Sequence, residues 1–227
     1  MTPAAAPRLR FDFHAHTFLT DGQNSATDMW FAADRLEHRV LAITDHVALD
    51  DPTPLIARLR QEARAYEDGP MRTLVGVELS MLPPRRIAGA ARAARKADAD
   101  IVIVHGETLA EAVPGGTNRA AVACPDVDVL AHPGLIEARV AELAAAHGVA
   151  LEISGRKGHS LANGHVARTG LAAGATLVVD SDAHGTDQLL SIGRARQLAL
   201  GAGLDARAVE RALADGPRAL LKRIDQR

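Results

Sequence analysis

The sequence contains little cysteine and few aromatic residues. Cys124 is the only cysteine among the 227 residues, so the chain can form neither an internal disulfide nor a metal cage of thiolates. Phenylalanine, tryptophan and tyrosine together make up 3% of the residues, which leaves few side chains to stack on nucleic-acid bases. Any metal site must therefore be built from histidine and carboxylate side chains.

The sequence also lacks a basic excess and a long apolar run. Its formal net charge is −2, whereas nucleic-acid-binding surfaces are usually strongly basic. No apolar run approaches the roughly 20 residues that span a bilayer. The first seven residues, rich in alanine and proline, have neither the basic start nor the apolar core of a signal peptide. We expect a cytoplasmic protein without membrane contact, in which residues 1–7 form a flexible tail.

Short apolar runs alternate regularly with helical patterns along the chain. Seven runs are typical of strands, at residues 9–13, 40–44, 72–77, 101–104, 127–131, 149–153 and 176–179. Strands joined by helices run parallel, and right-handed crossovers place their carboxyl ends on one side of the sheet. The length suits one domain over residues 1–227. The pattern predicts an α/β fold, either a (β/α)7 TIM-like barrel or an open doubly wound sheet.

Two histidines follow the first predicted strand with one residue between them. Because neighbouring side chains of an extended chain point to opposite faces, His14 and His16 point to the same side. Five further predicted strands also end in a potential metal ligand. The full set is His14, His16, Asp21, His46, Glu78, His105, His132, Asp182 and His184. Imidazoles mixed with carboxylates suit zinc, manganese or iron, and nine ligands are too many for one ion, which predicts two to three divalent metal ions.

The order of these motifs resembles the PHP (polymerase and histidinol phosphatase) superfamily. The motifs are His-x-His, Thr-Asp-His, Gly-x-Glu, Val-His-Gly, Ala-His-Pro and Ser-Asp-Ala-His, between Asp12 and His184. The resemblance implies a distorted seven-stranded barrel with up to three divalent ions. It implies three ligand groups: His14, His16, Glu78 and Asp182; His105 and His132 with a bridging Glu78; and Asp21, His46 and His184. Asp21 stands where some members carry a histidine, a difference that bears on which metal binds there.

The resemblance further implies a metal-dependent phosphoesterase. Its reaction would be hydrolysis of a small-molecule phosphate monoester, as in histidinol phosphatases, by attack of a metal-bound hydroxide. Glu78, Asp182 and His184 are the residues that we assign to catalysis. The sequence does not specify the leaving group, the metal or the oligomeric state.

Two loops that follow predicted strands carry candidate substrate contacts. Arg156 and Lys157 follow the strand without an evident ligand, and both suit a phosphate or carboxylate group. His159, nearby, is a candidate to bind the substrate or to protonate its leaving group. Asn118 and Arg119 follow a Gly-Gly turn that leads into a helix, where backbone amides can receive an anion. Each of these residues is equally compatible with an ordinary surface loop.

Three other functions remain open. A PHP-type 3′-5′ exonuclease or nucleotide phosphatase would use the same ions, although the mildly acidic chain disfavours nucleic acid except as a substrate. A non-catalytic barrel subunit of a larger assembly is expected to have lost ligands, and none is missing here. An amidohydrolase-like enzyme acting on C–N or C–O bonds is least favoured, because no lysine ends a predicted strand to form a carbamylated bridge.

Overall fold

The computed structural model describes residues 10–66 and 68–227 as a parallel sheet surrounded by helices. The strands are β1 (Arg10–Asp12), β2 (His38–Ile43), β3 (His46–Val47), β4 (Arg72–Leu79), β5 (Ile101–His105), β6 (Val129–Ala131), β7 (Ala150–Ser154) and β8 (Leu177–Asp180). The α-helices are α1 (Ala26–Arg35), α2 (Thr53–Ala63), α3 (Pro84–Lys96), α4 (Thr117–Val122), α5 (Ala138–His147), α6 (Asn163–Ala173), α7 (Ile192–Gly201), α8 (Ala206–Glu210) and α9 (Gly216–Asp225). The predicted tail at residues 1–7 and the first residue of the first predicted strand lie outside the described residues.

The sheet is nearly closed into a barrel. Its strands follow the order β1-β2-β4-β5-β6-β7-β8, all pairs are parallel, and the two-residue β3 adds to β4 beyond the end of β2. Ala15 and Ala183, just after β1 and β8, form a parallel bridge, and the Phe13 amide donates to Asp180 Oδ1 at 2.8 Å. These contacts join the two edges. The predicted distorted (β/α)7 TIM-like barrel is confirmed, and the open sheet is wrong.

Two apolar cores lie on the two faces of the sheet. In β5, Val102 and Val104 belong to the core between sheet and helices, whereas Ile101 and Ile103 belong to the smaller core inside the barrel. This alternation follows from the two-residue period of a strand. Ile224 of α9 packs into the inner core from the amino ends of the strands. Polar side chains then occupy the carboxyl half of the barrel interior.

Local sequence signals set where several helices begin. Ser25 caps α1 and forms a capping box with Asp28, as expected of a serine that precedes a helical pattern, and Ser191 caps α7. Pro84 opens α3 at a position where a missing amide hydrogen costs nothing. None of the helices among the described residues is long and apolar enough to cross a membrane.

Glycines allow two site loops to approach one another closely. A Cβ on Gly134, whose φ is +61°, would overlap the Glu107 carbonyl in the loop after β5, and a Cβ on Gly106 would overlap the Ala131 carbonyl at the end of β6. The glycines of the Val-His-Gly and Ala-His-Pro-Gly motifs therefore serve packing. They bring His105 and His132 onto adjacent strand ends.

Candidate metal centre

Glu78 lies at the centre of the polar cluster at the carboxyl ends of the strands. Its Oε2 is 3.3 Å from His14 Nε2, 3.5 Å from His16 Nε2 and 3.0 Å from His46 Nδ1. Its other oxygen, Oε1, is 3.3 Å from His132 Nε2. The two oxygens of one carboxylate therefore reach two different groups of imidazoles, which is the arrangement that a bridging ligand requires.

Asp182 faces the same imidazoles from the opposite edge of the cluster. Its Oδ1 is 3.6 Å from His16 Nε2 and 3.9 Å from His14 Nε2, and its Oδ2 is 3.7 Å from His132 Nε2. His184 Nδ1 is 3.6 Å from Asp182 Oδ1. These separations exceed a hydrogen bond, whose usual donor to acceptor distance is about 2.7–3.2 Å. The cluster thus leaves a gap between ligand atoms.

A more exposed ligand group lies next to this cluster. Asp21 Oδ2 is 3.0 Å from His184 Nε2 and 3.5 Å from His46 Nε2, and Asp21 Oδ1 is 3.9 Å from His16 Nδ1. One nitrogen or oxygen from each of these four residues lies within 4.8 Å of the others. The predicted group of Asp21, His46 and His184 is therefore brought together, with His16 beside it.

His105, His132 and His159 form another ligand group on the other side of Glu78. Their ligand atoms lie within 4.8 Å of one another, and the rings of His132 and His159 stack at 4.1 Å. Glu111 lies over this group, with Oε2 3.2 Å from His105 Nε2 and Oε1 3.7 Å from His159 Nε2. His159 was predicted as a substrate contact, and Glu111 was not predicted. Both are candidate ligands.

Glu152 was missed because it lies in the middle of an apolar strand. Its carboxylate is fully buried in β7, where Oε1 is 2.6 Å from His14 Nδ1 and Oε2 accepts from the His132 amide at 2.9 Å. A carboxylate on one ring nitrogen fixes the tautomer that presents the other nitrogen to a metal. The available signal was a single acidic residue in an otherwise apolar strand, Ala150-Leu151-Glu152-Ile153.

Opposite charges determine the ionisation of the cluster. Burial alone would raise the pKa of Glu78, but His14 and His46 hold that pKa well below its usual range. Burial would lower the pKa of His14, but Glu152, Glu78 and Asp182 raise it well above its ordinary value. The cluster therefore holds charged groups in a buried space.

Other members of the cluster have pKa values shifted toward their neutral forms. Burial raises the pKa of Asp182 to about 7, against the opposing effect of His14 and His132. Burial, with the repulsion of His132 and His105, lowers the pKa of His159 to about 3. His159 is therefore neutral near neutral pH. A neutral imidazole suits a metal ligand and is a poor proton donor to a leaving group.

The geometry fits divalent ions. Two ligand atoms, each about 2.1 Å from a tetrahedral ion, lie about 3.4 Å apart, close to the 3.3–3.6 Å separations around Glu78 Oε2 and Asp182 Oδ1. Glu78 Oε1, His16 Nδ1 and His132 Nδ1 are buried without a hydrogen-bond partner among the described residues. Unpartnered buried polar atoms are costly, and metal coordination satisfies them.

The cluster forms the floor of a cavity of about 440 Å³. Arg156 lines this cavity, whereas Lys157 is exposed away from it. Asn118 accepts from the Glu107 amide at 2.9 Å and donates to the Pro133 carbonyl at 2.8 Å, so it ties two loops together. Arg119 is exposed on α4 and does not line the cavity. Of the predicted substrate contacts, the structure brings only Arg156 and His159 to the cavity.

Comparison with known proteins gives one similar sequence and many similar folds. No protein family model matches the sequence. The chain is 38% identical over 219 residues to the uncharacterized protein MJ1295 of Methanocaldococcus jannaschii, covering 95% of this chain and 100% of that protein.

Two solved structures illustrate the shared fold. Histidinol phosphate phosphatase (HisK) of Lactococcus lactis subsp. lactis, solved with Zn, L-histidinol and phosphate, has a TM-score of 0.63 and 16% identity, over 87% of this chain and 95% of that chain. An amidohydrolase from a Sargasso Sea environmental sample has a TM-score of 0.58 and 14% identity, over 96% of this chain and 66% of that chain. At these identities the similarity shows the fold.

Proposed function

The chain belongs to the same protein family as MJ1295 of Methanocaldococcus jannaschii, and from its own site we propose that it is a metal-dependent phosphoesterase of the PHP type. Its substrate is a small-molecule phosphate monoester, and residues 1–227 form one catalytic domain. The observation that carries this proposal is the position of Glu78, whose two oxygens lie 3.0–3.5 Å from four imidazoles in two groups.

We assign two to three divalent ions, Zn, Mn or Fe, to this site. Their ligands are His14, His16, Asp21, His46, Glu78, His105, His132, Asp182 and His184. When bound, such ions activate water, bind phosphoryl oxygens and offset charge on the leaving group. The solved HisK structure, which shares the fold, contains Zn and phosphate, and this supports both the metal and the substrate class.

Side chains around the cavity supply the other substrate-binding and catalytic roles. Arg156 lines the cavity, and its planar guanidinium can hold two oxygens of a phosphoryl group at once. Asp182 and His184 lie on the turn after β8. Asp182 faces imidazoles that also surround Glu78, and His184 lies 3.0 Å from Asp21, so we assign both residues, with Glu78, to catalysis. His159 is neutral near neutral pH, and we assign it to metal or substrate binding.

Hydrolysis of a C–N or C–O bond is the second candidate. An amidohydrolase shares the fold, and the same ions activate water for attack on a carbonyl. Against it, no lysine lies among the described residues that line the cavity, so a carbamylated lysine has no position there. Arg156 fits an anionic phosphoryl group better than a neutral amide.

Phosphate release and amide hydrolysis, measured side by side, test the proposal. The protein is stripped of metal, reloaded with Mn²⁺ or Zn²⁺, and assayed on phosphate monoesters, phosphodiesters, short oligonucleotides, N-acyl amino acids and lactones. We expect metal-dependent phosphate release from monoesters, abolished in Glu78→Gln. Glu142→Gln on the exposed face of α5 is the matched control and should keep full activity.

Each substrate class leads to a different conclusion. Turnover of amides or lactones without phosphate release would replace the proposal with the second candidate. Release of nucleotides from oligonucleotides at a higher rate than phosphate from monoesters would indicate the exonuclease. Full metal binding without hydrolysis of any substrate class would indicate a non-catalytic subunit.

A further inference from the structure

Met81 has a backbone conformation that its side chain disfavours. Five residues other than glycine have positive φ among the described residues. Glu37 and Asp98 follow the ends of α1 and α3, where left-handed residues are common. The other three, His132, Asp182 and Met81 (φ +54°), are all at the cavity. Strain of this kind concentrates at functional sites, and two of the three, His132 and Asp182, are residues that we assign to the metal ions.

Met81 is part of an apolar wall of the cavity. Met81 follows β4 three residues after Glu78, and its side chain remains 48% exposed. Together with Val47, the last residue of β3, and Ala48, it lines the cavity. We call Val47, Ala48 and Met81 the apolar wall. A flexible thioether adapts to ligands of irregular shape, and its exposure leaves it available for contact.

The charges around the cavity limit the anionic part of a ligand. Arg156 is the only arginine or lysine among the described residues that line the cavity. Asp50 also lines it and is exposed to solvent, whereas the carboxylate of Glu111 faces His105 and His159. Beyond the ions that we assign to the cluster, the cavity therefore offers one guanidinium and the Asp50 carboxylate. This arrangement suits a ligand whose only anionic group is the one at the cluster, because a second anionic group would be repelled by Asp50.

The cavity is also larger than one phosphoryl group requires. Its volume of about 440 Å³ lies in the range of pockets for small organic ligands, about 300–1,000 Å³. The ligand cluster occupies the floor and the apolar wall occupies one side, so a bound ester has an apolar surface beside its reacting group.

We propose that Met81, with Val47 and Ala48, binds an apolar group of the substrate, so that the substrate is a phosphate monoester with one anionic group and an apolar moiety. This inference rests on the proposed function for the reacting group. Met81 is then a specificity-determining residue. Its contact with the apolar group stabilises substrate binding, while the reacting ester bond lies at the metal cluster.

Alkyl phosphates of two lengths test this inference. Phosphate release from methyl phosphate and from hexyl phosphate gives the ratio of their kcat/KM values. We expect the wild-type protein to favour hexyl phosphate about tenfold or more, since each buried methylene adds to binding. Met81→Gly should bring this ratio to within about threefold of unity, and Met81→Leu should retain it.

The variants are designed to keep the fold intact. Glycine is favoured at a positive φ, so Met81→Gly should have a thermal midpoint no lower than that of the wild type. Leu135→Ala is the matched control: Leu135 is 62% exposed, follows β6 and does not line the cavity. The preference of Leu135→Ala for hexyl phosphate over methyl phosphate should equal that of the wild type.

Binding of unreactive analogues separates this inference from the proposed function. Calorimetry on the zinc-loaded protein compares methylphosphonate with hexylphosphonate in the wild type and in Met81→Gly. Tighter binding of hexylphosphonate, lost in Met81→Gly, would support the apolar subsite even if no phosphate ester were hydrolysed. Hydrolysis of both esters at equal kcat/KM, with equal binding of both phosphonates, would overturn the subsite and leave the phosphoesterase in place.

Discussion

The two ends of the barrel each carry a cluster of charged side chains, and the clusters differ in how their charges are paired. At the amino ends, a cavity of about 1000 Å³ is lined by arginines and aspartates. There Asp128 contacts Arg95 and lies 3.0 Å from Arg227, while Arg72 lies 2.7 Å from Asp225. Asp128 Oδ1 and Arg223 Nε make no hydrogen bond among the described residues, but they lie 3.7 Å apart as an ion pair. Each of these amino-end carboxylates therefore faces a guanidinium of opposite charge.

At the carboxyl ends the pairing is incomplete. Glu78 and Asp182 face a larger number of imidazoles, and three buried atoms, Glu78 Oε1, His16 Nδ1 and His132 Nδ1, have no hydrogen-bond partner among the described residues. Folding tolerates such atoms only when something else compensates them. From this difference we infer that the unbalanced cluster at the carboxyl ends is the binding site, and that the balanced cluster at the amino ends stabilises the fold.

Loss of the central carboxylate should have the largest effect. Glu78→Gln replaces a charged bridging oxygen by an amide, which binds divalent ions weakly. We expect at least one ion per chain to be lost and hydrolysis to fall by more than about 100-fold, since changes beyond the direct ligands already cost about 10–100-fold. Elemental analysis after dialysis and phosphate release measure the two effects. Full metal content in this variant would contradict the bridging role.

The corresponding change at the other end should affect stability alone. Asp128 is fully buried, and Arg95, Arg223 and Arg227 keep 16–26% of their side-chain surface exposed. Removing one partner of a buried ion pair costs about 3–5 kcal/mol, and partial exposure of the arginines reduces this to about 2–3 kcal/mol. We expect Asp128→Asn to lower the free energy of unfolding in urea by that amount.

Metal content distinguishes this variant from Glu78→Gln. The folded Asp128→Asn protein should bind as many ions per chain as the wild type, because Asp128 contacts no predicted ligand. Loss of metal from folded Asp128→Asn would mean that the amino-end cluster influences metal binding at the carboxyl end, so that the two clusters do not act independently.

Glu152 offers an intermediate test, because it touches ligands without facing the cavity. Glu152→Gln keeps the volume and an oxygen for the His132 amide, but it weakens the hold on His14 Nδ1. We expect zinc affinity, measured in competition with a chelator, to fall about 10–100-fold, with a change in the His14 ring tautomer in NMR spectra. Unchanged affinity would show that Glu152 serves packing only.

The smallest expected effect concerns His38, a buried histidine at the start of β2. Burial lowers the pKa of His38, against the raising effect of Asp12. The folded chain therefore keeps His38 neutral while the unfolded chain takes up a proton below about pH 6.5. Its contribution to stability is present above that pH and is lost as the pH falls toward the lowered pKa.

His38→Gln should remove this part of the acid sensitivity. Urea unfolding in the presence of a chelator, at pH values above and below about 6.5, gives the pH dependence of stability for both proteins. We expect the variant to lose less stability on acidification. The slope of its free energy of unfolding against pH should be smaller than that of the wild type by the equivalent of at most about one bound proton. Identical pH dependence of the two proteins would show that folding does not shift the pKa of His38.

The barrel and the convergence of the nine predicted residues at one end of it could be predicted because both follow from local order along the chain. Each of these residues follows an apolar run, and parallel strands gather such positions at one end. Glu152 could not be recognised in this way. Whether a mid-strand side chain faces the barrel axis or the helices depends on how the barrel closes, which involves contacts between distant parts of the chain.

Loop residues were harder to place for a related reason. Asn118 and Arg156 both follow strands, yet Asn118 binds loop backbone and Arg156 reaches the cavity. Sequence order gives the end of the barrel on which a loop lies, but it does not give the direction of a side chain. The positive φ of Met81 likewise has no signal in the residue type, because methionine is not favoured in that conformation.

The most direct test of the proposed metal centre is the number of divalent ions that the protein binds with and without the Glu78 carboxylate. Metal-free wild type and Glu78→Gln are dialysed against Zn²⁺ and Mn²⁺, and the ions per folded chain are counted by elemental analysis. We expect two to three ions in the wild type and at least one fewer in Glu78→Gln. Absence of bound metal from the wild type, or an equal number in both proteins, would contradict the claim that the unbalanced cluster is a metal centre.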